Sequence, residues 1–159
     1  MAGADHEADD AADLSRAGHW LWRLDADAWL RAARSELTAG EAHVDSRRTA
    51  VTHARRAAGM AINAVLVALG GEDELRWGRS YVDHLRALAG ADEPRCRPLF
   101  VATGAAAARL LAIPVVAAGA ALVQLGRGPH SAAALALLAA GEVLDDCAGV
   151  VAHLSSRTD

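Results

Sequence analysis

The chain has 159 residues, the size of one domain, and 40 of them are alanine against one Tyr, one Phe and four Trp. Small side chains must therefore fill the core, which favours closely approaching helices over β-sandwiches. The net charge of −4 argues against a surface coated for nucleic acid, and since all 16 basic residues are arginine, with no lysine, codon bias explains the choice of Arg better than anion recognition does.

Residues 1–17 carry Asp5, Glu7, Asp9, Asp10 and Asp13 with no arginine before Arg16. That is the reverse of a secretory start, so a solvated, disordered acidic tail is expected, followed by one helical domain over 18–155. A first helix is predicted over 18–39, because Trp22, Ala26, Trp29, Leu30, Ala33 and Leu37 recur at spacings of three and four; Gly40 is its expected stop. Asp45 or Ser46 can cap a second helix running to Leu69, with Val51, Ala54, Ala58, Ile62, Val65 and Leu69 on the core face and Gly70-Gly71 at its end. Its other side carries Arg48, Thr52, Arg55, Arg56 and Asn63, read as an exposed polar stripe.

A third helix is expected over 73–89, ended by Gly90. Two prolines mark 92–98 as a loop, and Pro98 suits the first turn of a fourth helix, which Pro114 should kink or split near Ile113. The run 110–126 is uncharged. It is short for a membrane span, interrupted by Pro114 and only mildly apolar, so it is expected to pack as a core helix, with membrane association the minor reading. Ser131 should cap a last helix reaching His153 or Leu154, on which Glu142, Asp146 and His153 return to one side. That acidic face is expected to be solvated or to pair with arginines of the second helix. The fold expected is an all-α, antiparallel up-and-down bundle of four to five helices.

Three runs carry a family resemblance: Trp29-Leu-Arg-Ala-Ala-Arg-Ser-Glu-Leu37, the helix Ala50-Val-Thr-His-Ala-Arg-Arg leading to Gly70-Gly71, and Asp83-His-Leu-Arg-Ala-Leu88. With His53-Ala54 and His84-Leu85 at matching places, residues 29–89 resemble the HEPN family of small helical domains. The resemblance implies an up-and-down bundle that forms homodimers. It also implies one of three activities: a metal-independent, toxin-like ribonuclease with an Arg-x(4–6)-His motif, an inactive partner of a nucleotidyltransferase in a toxin–antitoxin pair, or a nucleotide-binding module.

The local match to that motif is Arg79-Ser-Tyr-Val-Asp-His84. Its chemistry is coherent, since a histidine can move the 2′-OH proton while a guanidinium holds the scissile phosphate. Residues five apart on a helix differ by about 140°, so Arg79 and His84 share a face only if the helix begins between them, or a dimer completes the site. The alternative anion-facing surface is the second helix, where Arg48, Arg55 and Arg56 can meet the phosphates of RNA or a nucleotide.

No histidine has an acidic residue three before it or a histidine four after it, so no metal centre is expected, and no motif calls for a cofactor. Cys96 and Cys147 form no disulfide framework, which with the acidic start reads as a reduced, cytoplasmic protein. The reading that combines these points is a HEPN-like binding module that self-associates, with ribonuclease activity through Arg79 and His84 as the alternative.

Overall fold

Helix starts are written into the side chains. The computed structural model describes residues 20–70, 80–90, 97–116 and 131–157. Among them the chain forms a 3₁₀ turn, Trp20–Arg23, and five α-helices: α1 (Ala26–Ala42), α2 (Arg47–Ala68), α3 (Tyr81–Gly90), α4 (Arg97–Ala112) and α5 (Ala132–Ser155). Ser46 caps α2 by accepting from the Thr49 amide, and Ser131 caps α5 by accepting from the Ala134 amide at 3.1 Å. Each such cap satisfies an amide the helix itself leaves open, a contribution of about 1 kcal/mol. Ser80 and Asp83 form a reciprocal cap on α3: the Asp83 amide donates to Ser80 Oγ at 3.2 Å, and Ser80 N–H donates to Asp83 Oδ2 at 3.3 Å.

The first helix differs from its sequence reading at both ends. Asp25 accepts from the Ala28 amide at 2.7 Å, so α1 begins at Ala26 and the preceding residues turn separately. The Trp29 indole N–H donates to the Leu21 carbonyl at 2.9 Å and folds that turn back onto α1. At the other end Gly40 is no stop; it is buried inside α1. A Cβ there would lie 2.6 Å from Leu137 Cδ2 and 3.0 Å from His53 Cβ, so the glycine serves close helix packing. The second helix ends as its glycines imply, with Gly70 at φ +81°, a left-handed conformation.

Contacts fix the directions. Glu36 of α1 meets His53 and Arg56 of α2, while Gly40 stands beside Ala50, so these helices are antiparallel. Gly40 beside Leu137 and Gly141 beside Leu37 set α5 antiparallel to α1. Arg109 pairs with Glu142, and Thr103 Oγ1 donates to Asp146 Oδ2 at 3.1 Å, so α4 is antiparallel to α5. Thus α1, α2, α4 and α5 alternate in direction, an all-α up-and-down bundle, with α3 packed on both α2 and α4. The acidic face of α5 is engaged by α4, not by the arginines of α2.

The second half of α2 is the centre. From Ala57 to Leu66 every residue is buried, because α1, α3 and α5 all pack around it and its alanines let their backbones approach. Asn63, read from the sequence as part of an exposed stripe, is 0% exposed there, while Leu69, read as core, is 42% exposed beyond the last packed turn. The fourth helix stops at Ala112, as Pro114 requires. Among the described residues no helix is long and apolar enough to cross a membrane. The acidic tail, the start expected for the third helix at 73, and 117–126 of the uncharged run lie outside the described residues.

Candidate functional site

Four arginines come from two stretches of α2. Arg47 and Arg48 stand in its first turn, and Arg55 and Arg56 follow two turns on. Seven residues of helix return to within about 20° of the starting direction, so Arg48 and Arg55 share a stripe, with Arg56 about 80° from Arg48. Thr52, between them in sequence, donates its hydroxyl to the Arg48 backbone carbonyl at 2.7 Å, and Arg48 is exposed.

Arg55 is turned toward α4. Its Nη2 donates to the carbonyls of Ile113 at 2.9 Å and Leu111 at 3.3 Å, and Arg47 Nε donates to the Pro114 carbonyl at 3.0 Å. These are carbonyls at the end of a helix, where intrahelical donors have run out and partial negative charge collects. The Arg55 guanidinium has no carboxylate partner among the described residues, and its Nε is buried without a hydrogen-bond acceptor among them. Burial, and then the nearby charge of Arg86 on α3, pushes its pKa below the ordinary arginine value. Arg86 is itself 3.5 Å from Asp83 in an exposed pair.

Arg56 turns the other way, toward α1. Its Nη2 is 3.1 Å from Glu36 Oε1, while the other carboxylate oxygen accepts from His53 Nδ1 at 2.7 Å. The His43 ring stacks on that of His53 with centroids 6.0 Å apart. Tyr81 closes the group. Its side chain lies on Gly59, where an added Cβ would meet Tyr81 Cβ at 2.4 Å and ring Cδ1 at 2.5 Å, and burial raises its phenol pKa, with the Arg56 charge opposing and the Glu36 charge adding.

The adjacent residues Arg55 and Arg56 are thus committed to different neighbours, and Arg48 makes no ion pair among the described residues. Glu36 is the participant that sequence reasoning missed. It lies as far before the α1–α2 turn as His53 lies after it, so pairing residues symmetrically about that turn would have found it.

His84 sits on the inner side of α3 at 1% exposure, beside buried Leu85, and its imidazole meets protein atoms rather than solvent. Its motif partner Arg79 lies outside the described residues. Among the described residues no three His, Cys, Asp or Glu side chains gather as a metal site. Cys147 is buried, and that burial, with Asp146 adding, pushes its thiol far above the range of a reactive cysteine. No family model matches the chain, and no curated protein or solved structure matches it.

Proposed function

We propose that the chain is a HEPN-like helical binding module that takes phosphate groups of RNA or a nucleotide on the arginine strip of α2, where Arg48 and Arg55 meet the phosphate and Arg56, held by Glu36, flanks it. One observation carries this reading: the Arg55 guanidinium has only neutral carbonyls as hydrogen-bond partners among the described residues, on the same stripe as the exposed Arg48. Positive charge drawn together from two helices without a balancing carboxylate at Arg55 raises the local potential for anions. Guanidinium forks then supply directional donors that match phosphate oxygens.

The strip is compatible with a protein of net charge −4 because the attraction is local. At about 0.15 M salt the field of distant carboxylates is screened beyond roughly 8 Å. Fluorescence anisotropy with a labelled single-stranded oligoribonucleotide, and competition by ATP, test the proposal. The expected result is saturable binding that Arg48→Ala weakens several-fold. Competition by ATP at micromolar to millimolar concentration would assign the strip to nucleotides, and its absence to the polymer. Binding that Arg48→Ala leaves unchanged would refute the assignment of the strip.

A further inference from the structure

The guanidinium of Arg55 is only half used. Its Nε and Nη2 hydrogens form one edge of the fork, the edge that receives a phosphate or carboxylate side-on. Here Nη2 is divided between two carbonyls of unequal distance, 2.9 Å to Ile113 and 3.3 Å to Leu111, while Nε is buried and has no acceptor among the described residues. A buried donor left open costs free energy, and such groups in folded proteins call for an explanation. Arg47 adds a second oddity: a cation in the first turn of a helix opposes the positive end of the helix dipole, and its Nε is committed to the Pro114 carbonyl at 3.0 Å. Both arginines therefore hold the same short stretch of neutral acceptors.

We infer that the end of α4 is an internal occupant of the arginine site: the carbonyls of Leu111, Ile113 and Pro114 hold Arg55 and Arg47 in the ligand-free protein and are given up when a phosphate takes the Arg55 edge. This inference rests on the phosphate-binding reading of the α2 strip and adds its regulation. A phosphate oxygen carries formal negative charge that a carbonyl oxygen lacks, so it attracts the guanidinium more strongly, and two such oxygens satisfy Nε and Nη2 together. The displaced carbonyls lose their donors, and the last turn of α4 loosens. Because the coupling is reciprocal, anything that loosens that turn beforehand tightens phosphate binding.

Hydrogen exchange followed by mass spectrometry on the full chain, with and without the labelled oligoribonucleotide, reads the α4 end directly. Exchange of the amides over 109–113 is expected to rise several-fold on binding. Arg47→Gln removes one of the two grips while leaving Arg48, Arg55 and Arg56 in place. It is expected to bind about three-fold more tightly than the parent, and to exchange faster over 109–113 before ligand is added. If the parent binds in an Arg48-dependent way but its exchange over 109–113 does not rise, or Arg47→Gln binds no more tightly, the internal-occupant mechanism is wrong and the binding site stands. If the parent binds no oligoribonucleotide at all, both fall.

Discussion

Gly59 and Gly149 look alike in sequence, each a glycine inside a helix, yet space gives them opposite roles. At Gly59 a methyl would sit 2.4 Å from Tyr81 Cβ and 2.7 Å from Cγ, atoms close to the backbone that cannot swing aside. Gly59→Ala should therefore cost about 1–3 kcal/mol. At Gly149 nothing lies within 4 Å, so Gly149→Ala should gain up to about 1 kcal/mol of helix propensity. Urea midpoints moving in opposite directions would check the pair; a shift of the same sign would show that the Tyr81 contact does not govern Gly59. Asn63 makes a second contrast. It is fully buried with neither amide atom bonded among the described residues, so its truncation to Ala loses packing but relieves unmet polar groups. Asn63→Ala should cost less than about 1 kcal/mol, whereas Leu85→Ala, at an equally buried apolar position, should cost about 2–5 kcal/mol in the same urea series.

At the scale of elements, the helix boundaries set by local chemistry were legible except for the Asp25 cap that starts α1, and those set by packing were not. Ser46, Ser131, Gly70 and Pro114 act within a few residues of themselves, and each starts or ends a helix as the sequence implies. Gly40 carries the same local signal as a stop, but its use is to admit Leu137, a residue nearly a hundred positions away. Arg55 and Arg56 are likewise indistinguishable in sequence, and only the positions of α4 and α1 separate them. Arg55 bears on stability because it caps α4: Arg55→Leu strands two carbonyls and should cost about 1–3 kcal/mol. Arg48→Ala touches no such partner and should stay within about 0.5 kcal/mol of the parent. Equal losses in the two variants, measured by urea denaturation, would contradict the capping role. The difference also makes Arg48 the better residue for testing function, because its removal takes away charge and leaves the fold.

For the whole molecule, composition proved a sound guide to architecture and a poor one to the site. An alanine-rich chain did become a closely packed helical bundle, and its most crowded segment is the half of α2 where helices approach from all sides. The site depends on which charges end up without a partner, and that follows from pairings across helices. Glu36 balances Arg56, Asp83 meets Arg86, Glu142 takes Arg109, and Arg55 receives only backbone oxygen among the described residues. The all-arginine composition hides this difference in the sequence, since every cation there is the same residue. The strip depends on neither the resemblance over 29–89 nor the Arg79–His84 motif, so the phosphate-binding reading stands on the α2 arginines and their neighbours on α3 and α4.

The most direct test of that reading is the salt dependence of oligoribonucleotide binding in the parent and in Arg48→Ala. Phosphate contacts release counterions, so log K should fall linearly with log salt, and loss of one contact should make the slope shallower by roughly one while affinity drops several-fold. Circular dichroism of the variant should be unchanged. Binding with the same affinity and the same slope in both proteins would contradict the account.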